Sequence, residues 1–356
     1  MKLTSPLCPV GWTGLADFSP SKEQIPESSA LDATKPTGGL KSSQILPVAI
    51  QRHQLFDDYY NGCCNATFWP LFHSMPDKAV FNVETWRAYT EVNREFGLRS
   101  LEAVKRVGHG EGSSSTPLIW LHDYHLMLVA NTIRDACVEE ELNIRMGFFL
   151  HIPFPSWDIM RIFPWGDEIL QGMLGCDLVA FHIEDYCLNF LECCSRSLGC
   201  RVDRDRMLVE HCGRSAPSLH PSRTVQVKAL PIGIPYDRFA SLARTSPRAW
   251  PTESPKVILG VDRLDYTKGL VSRLKSFRRF LEKFPKWMER VVLLQVAVPS
   301  RTEVQEYHDL KEELDKLVGC INGQFSTPSW SPIRCQQNTL IFQATNLYSI
   351  PWITMV

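Results

Sequence analysis

The sequence predicts an α/β protein: a mostly parallel sheet covered by helices on both faces, followed by the start of a second unit of the same kind. Three observations predict it. From residue 48 onward, short apolar runs alternate with amphipathic stretches of helical period, as consecutive strand–helix units do. That pattern restarts near residue 256 after a Pro- and Ser-containing stretch. A length of 356 residues also favours two domains over one.

Taken in order, residues 13–47 are rich in Ser, Pro, Thr and Gly and read as a loop or loosely packed insertion. Within them TGGLKSS (37–43) lacks the lysine spacing of a phosphate loop, and no helical pattern follows it. PLIWLHD (117–123) reads as a buried strand, and HLMLVANTIRDACVEEEL after it as a helix. IRMGFFLHIPFP (144–155) is a strand stopped by two prolines. GDEILQGMLGC is a helix, DLVAFH a strand, and EDYCLNFLECCSRSLG a helix that ends at a glycine. VQVKALPIG is a further strand, closed by Pro231 and Gly233.

Residues 238–255 read as a connection. The second unit then runs KVILGVD (strand), GLVSRLKSFRRFLEKFP (helix), RVVLLQVAVPS (strand) and EVQEYHDLKEELDKLVGCIN (helix). Two strand–helix units fall short of the five or six strands of a doubly wound sheet. The tail from Cys335 has mixed composition and no long periodic element. The expected organisation is an irregular segment over 1–47, a first Rossmann-like domain over 48–237, a partial second one over 238–334 and a divergent tail over 335–356.

Composition excludes several classes. A formal net charge of -1 gives no global electrostatic case for nucleic acid or anionic membrane. With 44% hydrophobic and 22% charged residues the chain can bury sizeable cores. No apolar stretch approaches the roughly 18 residues of a membrane helix, and the N-terminus lacks the apolar region of a secretory signal. The 12 cysteines are scattered, without CxxC zinc spacing, and read as reduced thiols of a cytosolic protein.

Candidate functional residues recur at predicted strand ends, where α/β sheets bind ligands. VDRLDYTKGL (261–270) sets Arg263 and Lys268 five residues apart directly after a buried strand. A guanidinium and an ammonium so placed suit a diphosphate, or else pair with Asp262 and Asp265 at the surface. YYNGCCNATFWPLFH carries Tyr60 and Trp69, whose rings suit a sugar or simply a core. In WLHDYHLM, Asp123 lies between His122 and His125. Neighbours on a strand point oppositely, so a metal site is disfavoured against a carboxylate that meets a sugar hydroxyl or fixes an imidazole. His151 falls where a strand breaks at Pro153, and Arg301 follows another strand end, there to meet a phosphate or to pair with Glu303. Together these features describe a cleft enzyme for a sugar phosphate or nucleotide sugar.

The segments YYNGCCNATFWPLFH, LHDYHLM, FFLHIPFP, DEILQGMLGCDLVAFH, LPIGI, VDRLDYTKGL, QVAVPSR and GCINGQF resemble, in order and over roughly residues 10–334, the trehalose-6-phosphate synthase family of retaining glycosyltransferases. HIEDYCLNF and LGCRVDRDRMLVEH are similar to its animal, particularly invertebrate, branch. The resemblance implies a GT-B-type fold of two Rossmann-like domains, the second incomplete here. It implies glucose transfer from UDP-glucose to glucose 6-phosphate, giving trehalose 6-phosphate and UDP, with neither metal nor cofactor. It also implies roles. Arg263 and Lys268 hold the UDP diphosphate, and Asp123 and His151 contact the reacting sugars. Tyr60 and Trp69 lie on the acceptor side, and Arg301 reaches the acceptor phosphate.

Two departures set further expectations. The family's opening strand and glycine-rich loop have no counterpart before GWTGL (11–15), and its DGMNLV-like segment has none after SWSPIR. The chain is therefore expected to be truncated at both ends, with a destabilised second domain. The alternative to a working transferase is a non-catalytic isoform that binds sugar phosphate or forms homo- or hetero-oligomers with a full-length synthase. A different nucleotide-sugar transferase is disfavoured by the YYNG…FWPLFH segment.

Overall fold

The computed structural model describes residues 10–12, 46–50, 52–108, 116–211, 223–245, 255–299 and 304–336. They form two compact units that divide after Ile232.

In the first unit, β1 (Val10–Trp12) and β2 (Leu46–Val48) pair in parallel. The segment expected to be irregular therefore contributes sheet near both its ends, because Val10, Leu46 and Val48 bury their side chains. A continuous helical stretch follows: α1 (His53–Phe56), a π-helical run Asp57–Phe68, and α2 (Trp69–Phe72). It lies against the long helix α3 (Val83–Gly108), and a Cβ at Gly62 would meet Thr85 Cγ2 at 2.6 Å. Only glycine permits that approach. π-Helical geometry is rare and concentrates at functional positions.

The main sheet contains β3 (Leu118–His122), β4 (Arg145–Phe149), β5 (Leu178–Phe181), β6 (Arg201–Asp203), β7 (Leu208–His211) and β8 (Arg223–Ala229). Its order is β3-β4-β5-β8-β7-β6. The first four are parallel, and β7 and β6 add an antiparallel edge. Helices α4 (Val129–Glu139), α5 (Trp157–Met160), α6 (Gly166–Leu174) and α7 (Glu184–Leu198) lie between the parallel strands in sequence. Leu121, Phe148, Val179, Phe181, Ile169 and Phe190 are among the buried residues of this unit.

α4 starts later than the apolar run HLML suggests. The amides of Leu126 and Val129 close turns onto the carbonyls of Asp123 and Leu126, so this stretch is a loop. α7 ends as expected, with Gly199 in the left-handed region at φ 64°. Before β5, Asp177 binds Arg134 and Arg223 at 2.7 Å each and accepts the Met146 amide at 2.8 Å. The adjacent pairs Cys63/Cys64 and Cys193/Cys194 are buried thiols.

In the second unit, α8 (Tyr236–Thr245) occupies part of the stretch expected to be a connection. None of its residues is buried, so it gave no core-facing signal; Asp237 in its first turn and Arg244 in its last suit the helix dipole. There follow β9 (Lys256–Arg263), a 3-10 turn Tyr266–Lys268, α9 (Leu270–Lys283), β10 (Val291–Val298), α10 (Gln305–Phe325) and β11 (Ile333–Gln336). The parallel order is β11-β10-β9. β11 crosses the expected boundary at Cys335, since Ile333 is buried in this unit's core with Leu293, Leu274, Leu314 and Trp330. β9 is an edge strand of the described sheet and exposes Ile258, Leu259 and Val261. Among the described residues no helix is long and apolar enough to cross a membrane.

Candidate active site

In the first unit, the carboxyl ends of three adjacent parallel strands carry three imidazoles. His122 ends β3, His151 lies just beyond β4, and His182 directly follows β5. His122 Nδ1 and His151 Nε2 are 3.0 Å apart. The rings of His151 and His182 are 6.0 Å apart, with Phe149 against both. Burial pulls the pKa of His122 down to about 4. Partial desolvation does the same to His151, whose residue is otherwise exposed, with the neighbouring His122 and His182 adding to it. Both rings are therefore neutral near pH 7 and can exchange hydrogen bonds with hydroxyls.

Asp123 follows β3 with φ 70°, in the left-handed region that aspartate tolerates better than most side chains. Its amide donates to the Phe149 carbonyl at 2.7 Å, and its Oδ1 accepts the His151 amide at 3.2 Å. Its other oxygen is 3.8 Å from His125 Nδ1.

The loop after Asp123 is pinned from the helices beside it. Tyr59 donates to the His125 carbonyl at 3.0 Å. Tyr89 donates to the Tyr124 carbonyl at 2.8 Å and accepts the Met127 amide at 3.1 Å. Asn93 donates to the His125 carbonyl and accepts the Leu128 amide, both at 3.0 Å. Burial holds both phenols well above their ordinary pKa, so they remain donors. A Cβ at Gly172 of α6 would strike the Met127 carbonyl oxygen, so glycine is what lets α6 close on this loop.

Tyr60, in the π-helical run, stacks on Phe56 at 5.3 Å and on His125 at 5.8 Å. Trp69 is only 5% exposed and packs against Tyr124 at 5.9 Å and His73 at 4.2 Å. Both residues thus reach Asp123 through the Tyr124–His125 dipeptide. Tyr60 keeps part of its surface open, whereas Trp69 belongs to the aromatic core.

In the second unit, β9 ends at Arg263 and the chain turns at Asp265. The Asp265 carboxylate is fully buried and accepts from the Thr267 amide at 2.9 Å and its hydroxyl at 2.8 Å. Arg263 lies 4.0 Å from that carboxylate, and the Tyr307 hydroxyl 3.5 Å. Asp262 is not a partner of Arg263: Arg273 takes it at 2.6 Å. Lys268 closes the turn and is exposed, and among the described residues it forms no ion pair. Gly269 follows at φ 63° and starts α9. This turn can offer a guanidinium and an ammonium to anionic oxygens. Arg301 lies outside the described residues. Among those described, no group of three or more His, Cys, Asp or Glu is arranged to hold a metal ion.

The sequence matches the profile of glycosyltransferase family 20 over residues 9–354. The chain belongs to glycosyltransferase family 20. The family match runs past Arg334 into the tail, beyond the point at which resemblance was expected to stop. A family relative, the alpha,alpha-trehalose-phosphate synthase [UDP-forming] of Candida albicans, is 38% identical over 97% of this chain and 68% of its own length. A Burkholderia xenovorans alpha,alpha-trehalose-phosphate synthase (UDP-forming), solved in complex with glucose-6-phosphate, is similar with a TM-score of 0.74 and 29% identity. That similarity covers 86% of this chain and 64% of the other. An E. coli structure bound with UDP-2-fluoro glucose gives a TM-score of 0.69 and 30% identity, covering 81% of this chain and 60% of that one. The chain thus spans about two thirds of the length of the family 20 proteins it matches. It shares their α/β, GT-B-type fold class.

Sequence reasoning missed His182 and the clamp made by Tyr59, Tyr89 and Asn93; it named Asp265 as a surface partner of the two cations, whereas that carboxylate is fully buried beside Arg263. His182 carries the same strand-end signal as His151 and could have been found by it. The clamp residues carry no local signal, because their hydroxyl and amide groups sit among ordinary helical core positions.

Proposed function

We propose that this chain transfers glucose from UDP-glucose to glucose 6-phosphate, giving trehalose 6-phosphate and UDP with retained configuration. The observation that carries the reading is the Arg263–Lys268 turn. In a family 20 chain it sets two cations at a strand end, one of them exposed with no ion pair among the described residues.

In this reading the bond between the sugar C1 and the UDP phosphate breaks, and Arg263 and Lys268 neutralise the charge growing on the diphosphate. The acceptor hydroxyl attacks from the same face, and the departing phosphate oxygen takes its proton. No protein nucleophile takes part. Asp123 and the neutral His151 hold hydroxyls of the reacting sugars. Tyr60 and Trp69 shape the acceptor side, and Arg301 meets the acceptor phosphate. Neither metal nor cofactor is required, because fixed cations supply the charge, and the reaction takes place in the cytosol.

The test is trehalose 6-phosphate formation by the purified chain given both substrates, with Arg263→Ala as control and with a chelator added. The reading expects product from the chain, an unchanged rate in chelator and loss in the control. No product from a demonstrably folded chain would overturn it. The same result would favour the second reading, a chain that binds sugar phosphate without transferring the sugar.

A further inference from the structure

We propose that His122 is a positioning residue: its hydrogen bond to His151 fixes the ring orientation and tautomer in which His151 meets the reacting sugar. The inference rests on the transfer reaction proposed above.

A 3.0 Å contact between His122 Nδ1 and His151 Nε2 is a hydrogen bond only when one nitrogen carries a proton and the other a lone pair. A neutral imidazole has one N–H. If His122 donates, His151 carries its own proton on Nδ1. If His151 donates from Nε2, its Nδ1 is a bare acceptor. In either arrangement the pair commits Nε2 of His151 and gives the remaining nitrogen one defined character. A histidine without such a partner interconverts between the two.

The two residues differ in how firmly the fold holds them. His122 belongs to β3, in register with Phe149 of β4, and its ring lies 6.1 Å from that of Trp120. His151 lies beyond the end of β4, held at its backbone by Asp123. Among the described residues the rings against it are those of His122, Phe149 and His182. Of these, His122 makes the ring-to-ring hydrogen bond. A ring on a paired strand thus orients one on the segment that follows a strand, as a supporting shell orients a reacting group. Two cations cannot share this contact, because both nitrogens would then present protons to each other. The pair works as a unit that is neutral or carries one proton.

The experiment compares the whole chain with His122→Phe and His122→Asn. Phenylalanine keeps the ring's volume and removes its nitrogen, whereas the asparagine amide places a polar atom close to where Nδ1 sits. Two readouts are taken: kcat and KM for product formation, and the nitrogen spectrum of the histidine rings with His151→Gln to assign the signals. We expect the phenylalanine variant to lose kcat by about ten- to a hundredfold, the range seen when the partner that orients a metal-bound histidine is removed. KM should hold within about twofold, and asparagine should recover most of the rate. The His151 ring should show one tautomer in the parent and an average of two in His122→Phe.

An unchanged His151 tautomer in His122→Phe would overturn the proposal, whatever the rate. Asparagine as poor as phenylalanine would also overturn it, since packing alone would then explain the loss. If the parent chain forms no product, the proposed transfer fails while the ring spectra still decide the pairing.

Discussion

The His151 amide donates to the Asp123 carboxylate at 3.2 Å, joining the residue after β3 to a residue beyond β4. Asp123 does this from a left-handed backbone, φ 70°, while its own amide donates to Phe149 at 2.7 Å. Non-glycine residues held in that region concentrate where a site needs them. The carboxylate thus has a structural partner on one side and His125 within 3.8 Å on the other.

Asp123→Ala should therefore lose both a tolerated left-handed residue and an acceptor, at about 1–2 kcal/mol of stability in urea unfolding. Asp123→Asn keeps both and should lose about 0.5 kcal/mol or less. Both should impair product formation. Equal stability of the two variants would show that the left-handed backbone and the His151 contact contribute nothing.

Acid should weaken the fold through His122 and His151. Unfolded, each ring takes up a proton near 6.5; folded, each resists until about 4. In that window the unfolded chain binds more protons, so stability is complete above 6.5 and declines as pH falls toward 4. Thermal midpoints from pH 7.5 to 4.5 should fall in the parent and fall less steeply in His122→Phe. Identical slopes would remove His122 from the account.

The two cations of the second unit should separate rate from stability. Lys268→Ala should lower kcat by about a hundred- to a thousandfold, as loss of a charge-stabilising donor does. Its unfolding free energy should stay within about 0.5 kcal/mol, because the side chain is exposed. Arg263→Ala should lose a similar rate and also some stability, since it removes the guanidinium 4.0 Å from the buried Asp265 carboxylate. A Lys268→Ala chain that turns over normally would exclude that ammonium from the chemistry.

Asp177 should matter to folding and not to turnover. It gathers Arg134, Arg223 and the Met146 amide where three strands begin. Burial raises its pKa, but the Met146 amide and the two guanidinia outweigh burial and hold it below the ordinary range. Asp177→Ala strands two partly buried cations and should cost about 3 kcal/mol in urea unfolding. Activity measured well below the unfolding midpoint should persist; a stable but inactive variant would contradict a purely structural role.

Much of this was legible beforehand, and the exceptions have physical causes. Strands β3, β4, β5, β8, β9 and β10 and most of the helices between them follow from runs of apolar residues and their period. The β6–β7 hairpin was not anticipated, because its strands are three and four residues long and rich in charge. α8 lies where the sequence reads as a connection, because none of its residues is buried. The strand-end rule picked out Asp123, His151, Arg263 and Lys268 but stopped short of His182, which obeys the same rule. Whether Arg263 pairs with Asp262 could not be read at all; the structure gives Asp262 to Arg273, eleven residues away on α9.

Local pattern along the chain sets the α/β class, the order of strands and helices, and the residue types at each strand end. Hydrophobic period and turn chemistry are local, so a single segment suffices to reveal them. Tertiary packing brings His122 to His151 across 29 residues, sets the Asp123 carboxylate against the His151 amide, and puts Asp265 4.0 Å from Arg263. Neighbouring parallel strands are joined by crossovers. The distance between their ends is set by hydrogen-bond register and by packing in the core, and no local pattern encodes either.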